Sequence, residues 1–352
     1  MLKRLFPLVI VALCAGVLAQ QTPQDKPFRI STSLSVVDLA VSFLDRNGAF
    51  LSNVQPSDVE LTDNGKIQEI LTFDASLRPV SMAILVDTST QVQGVLPNLR
   101  SCGILFTQLV MGATGEAAVL TYDETVQLRQ DFTSDGDLVE KAFKQLKSEG
   151  DVTRLTDGVF RALDMLKERP KDRRHVIVIL GDGLDISGDT RRNQALSQAQ
   201  LANVSIYTVQ LSAFKTAASK SEPPPTVSVV PPGQPHEPGV PLGSNTGASG
   251  FGIGGATFGG RSMKGRLSHA MKTYSEGTGS GHISATSNRA VSDAVQKIGL
   301  ELHSQYWVSY RPNNLGDNAS ASEFHKIVVK VKIAGVKVRH RPGYFYSPGD
   351  SD

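Results

Sequence analysis

Val80-Ser81-Met82-Ala83-Ile84-Leu85-Val86 runs straight into Asp87-Thr88-Ser89-Thr90-Gln91. The first seven residues carry no charge and read as a strand buried on both faces. An Asp and a Ser two residues apart, at the C-terminal end of such a strand, bring their oxygens to one place at the top of a sheet. Working outward, two more pieces fall at suitable distances. One is Thr153, within Gly150-Asp151-Val152-Thr153-Arg154-Leu155-Thr156-Asp157. The other is Asp182, at the end of Val176-Ile177-Val178-Ile179-Leu180-Gly181-Asp182-Gly183. Carboxylates and hydroxyls with no thiol or imidazole describe a site for a hard cation, Mg²⁺ or Mn²⁺ before Zn²⁺. Taken singly, Asp87 or Asp182 would read as a cap on the loop or helix after a parallel strand.

The surrounding chain alternates strand and helix. Strand 80–86 precedes a helix over about Val95–Met111, then strand 117–122, with 126–128 pairing at its edge. A helix near Asp135–Lys147 is expected to bury Leu138, Phe143 and Leu146. Another begins at Thr153 and carries Leu155, Val159, Leu163 and Leu166 at helical spacing. Strand 175–180, a helix over 192–202 and strand 204–209 follow. Such alternation predicts a doubly wound, mostly parallel α/β sheet with helices on both faces. Ligands of such sheets bind beyond the carboxyl ends of the strands, where Asp87 and Asp182 lie.

These residues resemble the von Willebrand factor type A (VWA) domain and its metal-ion-dependent adhesion site, D-x-S-x-S followed by a Thr and an Asp. The match takes Asp87 and Ser89 from the first loop, Thr153 from the second and Asp182 from the third; Gln91 stands where the pattern has its second Ser. The resemblance implies a Mg²⁺ or Mn²⁺ site with Ser89 and Thr153 as direct ligands. Asp87 and Asp182 would bind directly or through water, and Gln91 would be a weak ligand or a filler of the site. An acidic residue of a protein partner would complete the coordination. Asp185 and Asp189, just past Asp182, read as solvated loop residues, with negative potential at the rim as the alternative.

The rest of the chain frames that unit. It has 352 residues, 40% of them hydrophobic, with 36 basic against 34 acidic side chains. That balance offers no electrostatic case for nucleic acid. Lys3 and Arg4, the apolar run Leu5–Val17 and the small residue Ala19 read as a signal peptide over 1–19, so export to the periplasm or beyond is expected. No later segment is long and apolar enough to span a bilayer, so the mature chain is expected to be soluble. Residues 28–76 read as strands of a small β-sandwich module, with a hairpin at Asp63-Asn64-Gly65. Residues 79–304 form the VWA-like unit, interrupted by a Pro/Gly-rich stretch, 215–263, expected to be disordered. Residues 305–346 supply strands, including Ile327, Val329, Val331 and Ile333 in alternation, that cannot make a core alone and are expected to complete the β module. The whole arrangement resembles the VWFA-related domain proteins of acidobacterial genomes, a family whose fold and compartment carry over better than any activity.

Three functions follow. The first is a binding module acting through the cation. The second is a metal-free scaffold that binds partners through the β module or the insert. The third is a Mg²⁺-dependent phosphatase-like hydrolase, which needs a second Asp two residues after the first. Position 89 is Ser. No hydrolase elbow falls at a strand end, and Cys102 reads as a small buried residue. The reading is therefore a protein without catalysis of its own.

Overall fold

A computed structural model describes residues 36–211, 257–258, 261–262, 270–313 and 323–346. The first strands are β1 (Val37–Leu44), β2 (Val59–Asp63), β3 (Lys66–Ile67) and β4 (Ile70–Asp74). Next come β5 (Val80–Asp87), β6 (Glu116–Tyr122), β7 (Val126–Thr133), β8 (Arg174–Gly181) and β9 (Ser205–Gln210). After the two-residue strands β10 (Thr257–Phe258) and β11 (Arg261–Ser262) come β12 (His282–Ser284), β13 (Tyr306–Tyr310), β14 (Glu323–Val331), β15 (Lys337–Arg339) and β16 (Gly343–Tyr346).

Six strands make the central sheet, in the order β12-β9-β8-β5-β6-β7. Every pairing is parallel except that of β7 with β6. All eight residues of β5 are buried, because helices cover both faces. Alternation sends Met82, Ile84 and Val86 into one core, with the Gly136–Lys144 and Asn288–Ser304 helices. Ala83 and Leu85 enter the other, with the Leu155–Lys167, Gly188–Leu201 and Ala270–Thr278 helices. The fold is thus the α/β, mostly parallel sheet expected from the sequence, flanked by antiparallel sheets.

Two details differ. The expected helix over Val95–Met111 is broken into short turns, Leu96–Leu99 and Gly103–Leu105, and a π-helical turn, Phe106–Met111. Pro97 has no N–H to give a helix, and Gly103 lies where a Cβ would come within 3.0 Å of the Glu140 backbone. In the next helix Leu138 is exposed, while Val139, Ala142 and Phe143 are buried. Asp135 caps that helix by accepting from the Asp137 N–H, and the resulting phase turns Leu138 outward.

The remaining strands form two four-stranded sheets, β15-β1-β13-β4 and β16-β14-β2-β3. Their shared core includes Val37, Leu39, Val41, Phe43, Leu61, Tyr306, Val308 and Ile327. Strands from before and after the central sheet are therefore interleaved: β1 lies between β13 and β15, and β2 pairs with β14. The β2–β3 hairpin turns through Asn64 and Gly65 at φ 47° and 80°, the left-handed pair that such a two-residue loop requires. Buried Asp63 accepts from the Tyr310 and Tyr344 hydroxyls, each at 2.8 Å. Ile333, expected to face the core, is exposed beyond the end of β14. The stretch 215–263 lies outside the described residues except for β10 and β11, which pair antiparallel. The segment 1–19 lies outside them altogether. Among the described residues no helix is long and apolar enough to cross a membrane.

Candidate functional site

Three loops meet at the carboxyl edge of the central sheet. β5 ends at Asp87, β8 ends one residue before Asp182, and Thr153 precedes the Leu155–Lys167 helix by two residues. Backbone hydrogen bonds stitch the loops together. Ser89 pairs with Gly150, whose carbonyl accepts from the Thr90 N–H at 2.8 Å. The Ile186 N–H donates to the Thr153 carbonyl at 3.2 Å, and the Asp182 N–H to Asp87 Oδ2 at 3.2 Å. Asp87, Ser89, Thr153 and Asp182 are all buried.

The electrostatics are those of a site short of positive charge. Asp87 is fully buried; burial, and then the neighbouring Asp182 carboxylate, push its pKa up to about 6. The Ser89 N–H, 2.9 Å from Asp87 Oδ1, offsets part of that rise. Ser89 Oγ is buried and makes no hydrogen bond, although it lies near enough to Asp87 to draw that pKa down. Asp182 Oδ1 accepts from the Leu184 N–H at 2.9 Å. Gln91 does not join the buried oxygens: it is exposed on the single 3₁₀ turn Thr90–Val92, at the rim. Among the described residues no group of three or more His, Cys, Asp or Glu side chains is placed to hold a metal ion. What gathers here is a carboxylate pair with hydroxyls.

Asp185 corrects an expectation. It is completely buried, accepting from Thr156 Oγ1 at 2.6 Å, and Thr156 in turn meets the Tyr274 hydroxyl at 2.6 Å. Its charge ties the third loop to the helix behind it, whereas Asp189 is exposed and pairs with Arg192 at 2.7 Å. Sequence reasoning also missed Asp123, which accepts from Thr88 Oγ1 at 2.8 Å, and Tyr122, whose fully buried hydroxyl makes no hydrogen bond. The signal for Tyr122 was its register: it ends β6 directly opposite Asp87. Nothing local in the sequence marks Asp185 as buried.

The family profile described as von Willebrand factor type A domain matches residues 82–185, the span from mid-β5 through all three loops. The chain contains a von Willebrand factor type A domain. Domains of this kind are, in general, protein-interaction modules, and many bind a divalent metal at the loop cluster. No curated protein matches the chain. Among solved structures it is similar to the SpRpn10 VWA domain (17% identity, 38% of this chain and 75% of that one, TM-score 0.34). It is also similar to an aerotolerance-related membrane protein from Bacteroides fragilis (13% identity, 62% and 98%, TM-score 0.40). A third likeness is to proximal thread matrix protein 1 from the mussel byssus with a zinc-occupied MIDAS motif (12% identity, 67% and 48%, TM-score 0.42). These likenesses are remote, and the VWA assignment rests on the profile match and the geometry.

Proposed function

We propose that the protein is an exported binding module whose VWA site holds Mg²⁺ or Mn²⁺ and captures a protein partner through an acidic side chain. Ser89 and Thr153 are its hydroxyl ligands, Asp87 and Asp182 its carboxylates, and Gln91 lies at the exposed rim, outside the buried oxygens. The observation that carries this reading is the pairing of a buried, unbonded Ser89 Oγ with an Asp87 carboxylate disfavoured by Asp182. A hard cation would satisfy both at once. Held partly by neutral hydroxyls, the ion stays electrophilic and attracts an outside carboxylate. The same reading includes a signal peptide over 1–19, a periplasmic or secreted mature chain, and no catalysis. It also divides the chain into a β module of 28–76 with 305–346 and a VWA unit of 79–304.

The test is titration calorimetry of Mn²⁺ and Mg²⁺ on the mature chain beside Asp87→Ala. Binding in the parent that disappears in the variant supports the site. Absence of binding in both favours a metal-free scaffold that meets partners through the β module or residues 215–263. The exposure of Gln91, where the family pattern has Ser, is the observation behind that second reading.

A further inference from the structure

Two buried hydroxyls beside the carboxylate pair make no hydrogen bond, Ser89 Oγ and the phenol of Tyr122. The second is the less expected. Tyr122 ends β6 opposite Asp87, and its ring packs in the core below the site with Leu85, Leu155 and Val159. Its hydroxyl rises past Gly181, the last residue of β8. A Cβ on Gly181 would come 2.1 Å from that hydroxyl, 2.9 Å from Asp87 Cβ and 3.0 Å from Asp87 Oδ2. Phenol and carboxylate thus share one small space, and only a glycine leaves room for both. A buried polar atom with no partner is costly and uncommon, which calls for a reason specific to the place. A tyrosine phenol carries its proton at neutral pH, so this hydroxyl can donate a hydrogen bond.

We propose that Tyr122 is a positioning residue of the cation site. Its phenol stands beside the Asp87 carboxylate as the hydrogen-bond donor held for that carboxylate when a cation is bound, and Gly181 is the seat that admits it. This rests on the cation reading above. In the structure the phenol makes no hydrogen bond, and a buried hydroxyl without a partner weakens the fold. Tyr122 is fully buried, so the donor lies on the side away from solvent, where no water competes. Partners of this kind, standing behind the ligands of a metal, typically set its affinity by ten- to a hundred-fold.

The experiment measures two quantities on the mature chain, Mn²⁺ affinity by calorimetry and the melting midpoint in chelator, for the parent, Tyr122→Phe, Gly181→Ala and the double variant. Tyr122→Phe is expected to melt in chelator no lower than the parent and to bind Mn²⁺ about ten-fold more weakly. Gly181→Ala is expected to lower the chelator midpoint, and Tyr122→Phe to recover part of that loss, because the phenol oxygen is the first atom the new methyl meets. A Tyr122→Phe protein with parental Mn²⁺ affinity overturns the positioning role while leaving the cation site standing. A parent that binds no Mn²⁺ overturns the cation site, and the role of Tyr122 with it. A Gly181→Ala loss that Tyr122→Phe does not relieve overturns the shared seat. Were Tyr122→Phe itself to melt well below the parent, the phenol would be a structural group, and the proposal would be wrong.

Discussion

Asp87 is a carboxylate whose surroundings oppose its charge, and this has a measurable consequence. Its folded pKa, about 6, is raised above the ordinary 3.8. The stabilisation linked to its protonated form is therefore complete below 3.8 and is lost as the pH rises through about 6. The difference amounts to roughly 3 kcal/mol in the metal-free protein. In chelator, the melting midpoint of the parent relative to Asp87→Ala should fall as the pH is raised, with most of the change between 3.8 and about 6 and little beyond. A difference that stays flat across that range would show that Asp87 ionises like a surface carboxylate. Excess Mn²⁺ should oppose the decline, since a ligand of the native state stabilises it by mass action.

At the scale of the element, β5 was readable because everything that defines it is local. Its eight residues are buried on both faces, and an uncharged run of strand length admits few other structures. Leu85 is completely buried among the helices on one face, whereas Leu138 is exposed on a helix of similar apolar character. Leu85→Ala should cost about 3 kcal/mol and Leu138→Ala within about 0.5 kcal/mol, measured by urea unfolding. Equal losses would contradict the placement of Leu138. The Leu96–Met111 region shows where local reading stops. Its apolar spacing suits one helix, but the close approach of Gly103 to Phe143 and of Gly299 to the Leu109 carbonyl belongs to neighbours far along the chain. The three loops that carry Asp87, Thr153 and Asp182 were likewise visible as separate motifs. Their stitching through Ser89–Gly150 and Thr153–Ile186 was not.

At the scale of the molecule, the β strands and the central α/β sheet are joined by buried polar contacts. Glu301, on the Asn288–Ser304 helix, accepts from Ser42 of β1 at 3.1 Å and pairs with Arg339 of β15 at 2.7 Å. The Arg341 guanidinium donates to the carbonyls of Gln200 and Asp38, one on each side of the seam. Burial raises the Glu301 pKa, and Arg339 is the strongest influence pulling it back. Removing that partner leaves a buried carboxylate poorly compensated. Arg339→Ala should therefore cost about 2 kcal/mol at neutral pH, less than a fully buried pair because Arg339 is partly exposed to solvent. The loss should shrink in acid as Glu301 takes up a proton, and urea unfolding at two pH values would read it. A loss independent of pH would assign Arg339 to packing alone.

The sequence by itself determined the order of strands and helices, the two-sided burial of β5, the Asn64-Gly65 turn and the four residues Asp87, Ser89, Thr153 and Asp182. Each is written in residue type and spacing over a few neighbours, which is the range over which periodicity and turn chemistry act. Tertiary structure alone decided that Gln91 faces solvent, that Asp185 is buried behind the site and not solvated, and that the Tyr122 phenol comes up beside Gly181. Those outcomes depend on which side chains from distant loops reach the same small volume, and on what each must exclude to fit there. Burial and hydrogen-bond partners are properties of that meeting, and no single segment carries them.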